Sequence, residues 1–154
     1  MITGTSINYT GRRVDLSLYP AIRLSGVPVS NEFSQAPKAV AGLSALVQNF
    51  ARILLTPEGT FRGDPTMGTN FFKKISAGGI RYPADIEHSF LIEASKAAEY
   101  MATATDPSTP LDEQLETASL SDIEIGPTSI SLVIDVVSRA GSTVSFLLPV
   151  NWIN

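Results

Sequence analysis

The chain has no cysteine and a single histidine, His88. Disulfide frameworks, thiolate nucleophiles and cysteine-based zinc sites are therefore excluded, and one imidazole cannot build a His-rich metal site. No Ser-His-Asp geometry can be argued from the spacing around it. His88 falls on the polar side of a helical pattern and reads as a solvated side chain. Runs of Lys or Arg are also absent, and 11 basic against 15 acidic residues give a net charge of −4. That balance disfavours a polyanion-binding surface. No apolar run approaches the roughly 20 residues a membrane-spanning helix needs. Neither nucleic acid nor membrane is expected as a partner. The first residues, MITGTSINYTGRR, lack the charged-then-apolar layout of a secretion signal, so a soluble protein made in a cytoplasm is expected. Gly78-Gly79 is too short to cradle a phosphate, and no Lys-Ser or Lys-Thr follows it. Asp112, Glu113 and Glu116 lack the alternating oxygen ligands and central glycine of a calcium loop, and read as a solvated acidic loop. No cofactor or metal is expected.

What is present suits one ordinary globular unit. The 154 residues can support a single core, with 44% hydrophobic and 17% charged content. Residues 1–37 read as an N-terminal arm with a short strand. Val14, Leu16 and Leu18 alternate within 13–19, and Pro20, Gly26, Pro28 and Pro37 punctuate the rest. Residues 38–55 are expected to be helical, because Val40, Leu43, Val47, Phe50 and Leu54 recur at helical spacing, with Leu46 and Ile53 widening the stripe. Thr56-Pro57 ends the helix and Pro57-Glu58-Gly59 makes a turn. Residues 60–83 show little periodicity. A short helical turn at 70–75 would point Phe71, Phe72 and Ile75 inward. Asp85 is expected to cap a second helix over 86–103, with Ile86, Phe90, Ala94, Ala97 and Met101 inside. Residues 106–120 read as a polar, acidic loop with room for one helical turn.

The last third carries the β signal. Ile123 and Ile125 share a side, and Gly126-Pro127 breaks that strand. Ile130, Leu132, Ile134 and Val136 then alternate with mostly polar neighbours, as do Val144, Phe146, Leu148 and Val150. Both runs bury even-numbered residues, so opposed residues must sum to an even number. A three-residue loop with Ser138 opposite Ser142 satisfies this and puts Gly141 at the left-handed position. Val136 then faces Val144, Ile134 faces Phe146 and Leu132 faces Leu148. A two- or four-residue loop would set buried rows against exposed ones. The expected fold is α+β, two main helices packed on a small antiparallel sheet with a C-terminal β-hairpin.

The most informative stretch is 48–68, QNFARILLTPEGTFRGDPTMG. It holds no nucleophile–base pair, metal cluster or phosphate loop. It describes a shape, a helix stopped at a defined point with a Gly/Pro-rich loop hung from it. A long irregular stretch in a compact domain is usually functional or covered by a partner. The order arm, helix, turn-and-glycine loop, helix, acidic loop, hairpin, together with LLTPEGTFRGDPTMG at 54–68, resembles the small baseplate-wedge or sheath-initiator family of contractile phage tails. That family has relatives in type VI secretion baseplates, and some members were once labelled lysozymes. It carries a helix ending in a hydrophobic-Thr-Pro-x-Gly turn, then a basic residue and a later glycine. Here these are Ile53, Leu54, Leu55, Thr56, Pro57, Gly59, Arg62 and Gly68. The resemblance covers about 40–150, and its specific part is about fifteen residues. The family's Glu-Pro-Arg triplet is missing, since no arginine lies between Arg81 and Arg139; Asp106-Pro107 and Asp112-Glu113 stand in that region.

The resemblance implies a non-enzymatic virion protein, with 38–154 as the baseplate wedge or sheath-initiator-like domain. It would be assembled in the host cytoplasm into the tail baseplate, in six copies around the tail axis, beside the tail sheath protein, the tail tube and the baseplate wedge proteins. It would seed the sheath by β-augmentation, an incoming strand adding to an open C-terminal edge. The expected contact residues are Thr143, Val144, Ser145, Phe146, Leu147 and Leu148. Pro149 would end the pairing on its side. Trp152 could plug the base of the hairpin or anchor a partner, and Arg12 and Arg13 could meet a partner's carboxylates or stay solvated. The alternative is a tail-associated, lysozyme-like peptidoglycan-cleaving domain using Glu58 and Asp64, because glycosidase chemistry needs two carboxyls, one with a raised pKa. The plainer reading makes them a turn residue and a loop cap. A third possibility is a free-standing regulatory domain that docks one cytoplasmic partner.

Overall fold

The computed structural model describes residues 15–16, 23–24, 39–77, 80 and 82–151. In chain order these form β1 (Asp15–Leu16), β2 (Arg23–Leu24), β3 (Ala39–Val40), α1 (Leu43–Leu55), α2 (Phe71–Ser76) and α3 (Pro83–Ala104). A 3₁₀ turn at Leu111–Glu113 follows, then β4 (Leu115–Ile125), β5 (Ser129–Ser138) and β6 (Thr143–Asn151).

α1 buries Leu46, Val47, Phe50, Ala51, Ile53 and Leu54, the face its spacing demands. It begins at Leu43 rather than at residue 38. Ala39–Val40 is strand, paired antiparallel with Asp15–Leu16, and Gly42 at φ 62 turns the chain into the helix. Val40 thus lies outside the helical stripe. The cap arrives from far along the chain, where the Gly42 N–H donates to Glu113 Oε1 at 2.8 Å. A carboxylate there satisfies a free donor and complements the positive end of the helix dipole.

α3 begins at Pro83, whose missing N–H costs nothing in the first turn, and Tyr82 before it is extended. Asp85 therefore lies inside the first turn, where it complements the dipole; it is not the cap. Ile86, Phe90, Ala94, Ala97 and Met101 form the buried face as expected, joined by Ser89 and Glu93. α2 buries Phe71 and Ile75, with Phe72 partly buried. Phe71 meets Phe90 edge to face at 5.7 Å, which fixes α2 on α3.

The main sheet runs in the order β2-β6-β5-β4, all antiparallel. The hairpin has the register its parity required: Val136 opposite Val144, Ile134 opposite Phe146, Leu132 opposite Leu148. The Ser138 N–H donates to the Ser142 C=O at 2.9 Å, and Gly141 is left-handed at φ 81. Ile130, Leu132, Ile134, Val136, Phe146, Leu148 and Val150 make the sheet side of the core, under α1 and α3. The fold is α+β, helices on an antiparallel C-terminal sheet, as the sequence led us to expect.

β4 differs from expectation. It starts at Leu115, so the acidic loop is shorter, and its one helical turn is the 3₁₀ turn. Its inward residues are Leu115, Ala118, Leu120 and Ile123, and bulges between Leu115 and Thr117 and between Leu120 and Asp122 reset the register. Each bulge adds one residue, which turns a period of two into alternating steps of three and two.

Candidate functional site

Two structures merit attention, the loop that follows α1 and the rim of the sheet. Thr69, fully buried, closes the loop. Its N–H donates to the Thr56 C=O at 2.8 Å and its C=O accepts from the Glu58 N–H at 3.2 Å, a small parallel bridge beside Pro57. Its hydroxyl donates to the Leu54 C=O at 2.7 Å and accepts from the Phe71 N–H at 3.2 Å. One side chain thus satisfies the end of α1 and the start of α2. Gly68 is required here: at φ +112, an added Cβ would lie 2.4 Å from the Thr56 oxygen. At the helix end, the Thr56 N–H and hydroxyl both donate to the Arg52 C=O.

The rest of the loop is tied inward. Asp64 Oδ1 accepts from the Thr66 N–H at 3.0 Å and its hydroxyl at 2.6 Å, and Asp64 Oδ2 accepts from the Tyr100 hydroxyl at 2.8 Å. These bonds, the Thr66 hydroxyl foremost, hold the Asp64 carboxyl below its ordinary value. Asn70 Nδ2 donates to Glu58 Oε2 at 3.0 Å. The Asn70 N–H donates to Glu93 Oε2 at 3.0 Å, and Lys74 Nζ meets Glu93 Oε1 at 2.8 Å. Lys96 adds a 3.5 Å contact to Glu93, whose side chain is only 1% exposed. Burial pushes the Glu93 carboxyl up. The Lys74 and Asn70 hydrogen bonds and the charges of Lys74 and Lys96 outweigh that, so it lies below its ordinary value.

Glu58 and Asp64 are thus placed as a turn residue and a loop cap. Asp64 is shifted in the direction opposite to that of a general acid. Two cavities, of ≈ 290 and ≈ 360 Å³, meet at Met101, Thr105 and Asp106, and neither is lined by Glu58 or Asp64. His88 is exposed, as its position on α3 suggested. Among the described residues no group of acidic and histidine side chains could hold a metal ion, and no helix is long and apolar enough to cross a membrane. Glu113 is a further residue the sequence reading misplaced. It is a buried cap of α1, not part of a solvated acidic loop. A partner 71 positions away in the chain leaves no local signal.

The rim of β6 was expected to be open. It is not wholly so, because Arg23 pairs with Leu147 and Leu24 with Phe146. Two residues of this chain's own arm therefore cover the middle of the edge. The bond from Ser138 to Ser142 sets the alternation along the hairpin. Even-numbered residues of β6 exchange backbone bonds with β5, and odd-numbered ones point their N–H and C=O at the rim. Pro149, having no N–H, fits a rim-facing position without loss. Of the expected contact residues, Phe146 and Leu148 are buried in the core, Val144 is half-buried, and Thr143 is exposed. Ser145 donates its hydroxyl to Asp135 across the hairpin. Leu147, half-buried, is opposite Arg23. Only the odd-numbered residues can serve a neighbour. Arg12, Arg13 and Trp152 lie outside the described residues.

The opposite rim belongs to β4, with no described strand beyond it. Its two bulges leave no straight run longer than four residues, the usual protection of an exposed edge. β6 by contrast pairs with β5 over nine consecutive residues without a bulge. Comparison with protein-family models, with curated proteins and with solved structures finds no match to this chain.

Proposed function

We propose that this chain is a non-enzymatic structural component of a contractile phage tail baseplate, a sheath initiator that receives a strand at the β6 rim. Its partners would be the tail sheath protein, the tail tube and the wedge proteins, in six copies around the axis. The single observation in support is the contrast between the two rims. β4 is bulged, whereas β6 is regular and, among the described residues, is covered by two, Arg23 and Leu24. A two-residue pairing supplies about two backbone bonds, each worth about 1 kcal/mol net. An incoming strand that runs along Thr143–Leu147 would replace those and add more. The mechanism is thus strand addition in line with β2 or in its place, rather than addition to an edge that stands empty.

A backbone test follows from the alternation. Thr143→Pro removes a rim-facing N–H and leaves the β5 ladder whole. Val144→Pro removes a ladder bond of the hairpin itself and is expected to destabilise the fold. With co-expressed sheath protein as bait, Thr143→Pro is expected to keep the fold and lose at least tenfold in capture. Undiminished capture by a folded Thr143→Pro protein counts against strand addition at this rim.

A further inference from the structure

We infer that the tip of the loop after α1 is a preformed protein-docking knob, in which Phe61 enters an apolar pocket and Arg62 pairs with a carboxylate at its edge. This deepens the assembly reading and concerns a surface separate from the β6 rim. The loop between Thr56 and Asn70 carries three charged residues, Glu58, Arg62 and Asp64. Glu58 is held by Asn70, and Asp64 by Thr66 and Tyr100. Arg62 is exposed and makes no hydrogen bond or ion pair among the described residues. Beside it Phe61 is 50% exposed. One side of its ring rests on Gly63, where a Cβ would lie 3.1 Å from the ring edge. A half-exposed aromatic next to an arginine with no internal partner is the composition of an interface hot spot.

The tip is held in place before any partner arrives. The Thr60 N–H and hydroxyl donate to the Pro57 C=O, the Asp64 N–H to the Phe61 C=O, and the Met67 N–H to the Asp64 C=O. Met67 is buried, and Asp64 is fastened to α3 through Tyr100. Little ordering entropy remains to be lost on binding. The free charge at the tip is positive, so the complement is acidic. Nucleic acid fits less well, because Arg62 is the one basic residue of the loop between Thr56 and Asn70 and makes no basic track by itself. The occupant we commit to is an acidic protein surface with an apolar pocket.

The test places the photo-cross-linking residue p-benzoylphenylalanine at position 61 in cells that make the complete set of tail proteins. The cross-linked peptide is then mapped by mass spectrometry. The expected result is one peptide containing Asp or Glu, from a protein other than this chain. Arg62→Glu should cut its yield at least tenfold, and reversing that carboxylate to Lys should restore it. Arg62 is exposed, so its variant keeps the thermal midpoint. An adduct on a second copy of this chain, on nucleic acid or spread over many peptides overturns the proposal. So does a yield unaffected by Arg62→Glu. The two readings separate cleanly. A single acidic partner that is not a tail protein would keep the knob and sink the baseplate role. Sheath capture sensitive to Thr143→Pro, with no adduct at 61, would do the reverse.

Discussion

Gly68 and Gly59 show how much of the loop rests on single residues. Both have positive φ, but only Gly68 has backbone where a Cβ would go, while Gly59 faces open space. Gly59→Ala is expected to cost about 1 kcal/mol for the left-handed backbone alone. Gly68→Ala adds a clash with the Thr56 oxygen and should cost about 3 kcal/mol or more, read as a larger loss in urea midpoint at unchanged slope. Equal losses would mean that the Thr56–Thr69 closure does not form. Glu93 has a pH signature. Its folded carboxyl lies below the ordinary value of 4.5, so its contribution is complete at neutral pH and is lost as pH falls through the folded value. Glu93→Gln should lower stability at pH 7 and flatten the loss of stability below about pH 4.5. A parallel acid limb in both proteins would show that Glu93 is not the group titrating. The glycines were legible as breaks in the sequence. The partner of Glu93 was not, since a lone carboxylate on a helix looks the same whether water or Lys74 meets it.

At the scale of elements, what could be read depended on whether the period held. α1, α3 and the β5–β6 hairpin have unbroken periods, and the parity of the apolar rows was enough to set the hairpin register. β4 was read only from Ile123 onward because its apolar residues, Leu115, Ala118, Leu120 and Ile123, are spaced by three, two and three. That is the trace of two bulges in an edge strand, and it can be recognised once bulges are allowed for. The start of α1 was placed too early because residues 38–42 continue an apolar spacing that pairing with β1 overrides. The cap explains why the true start is stable. Glu113→Ala removes the acceptor for the buried Gly42 N–H and should cost about 1–2 kcal/mol. Chemical denaturation would measure it, and a change below about 0.3 kcal/mol would deny Glu113 that role.

For the whole molecule, the consequence is an uneven rim. Native-state hydrogen exchange should alternate along β6, with Val144, Phe146, Leu148 and Val150 slow and Thr143, Ser145 and Asn151 fast. Leu147 should fall between them, because its cover is the short β2. Uniform protection along β6 would show a second strand lying over the entire rim. Uniform fast exchange would show that β2 does not hold. Saturation with sheath protein should slow Thr143 and Ser145 selectively, and that readout checks the proposed function without mutation.

Periodicity, parity and chain-breaking residues determined the α+β class, the two long helices, the stop at Thr56-Pro57 and the register of the last hairpin. Those are local patterns, repeated every two or three to four residues. Only the tertiary structure decided that Arg23–Leu24 lies on β6, that Glu113 caps α1, that Glu93 fastens the loop to α3 and that β4 is the bulged rim. The physical reason is the same in each case. A contact made by one or two residues between separate elements has no period, and a bulge breaks the period that is there, so neither partner nor rim can be read from a repeat.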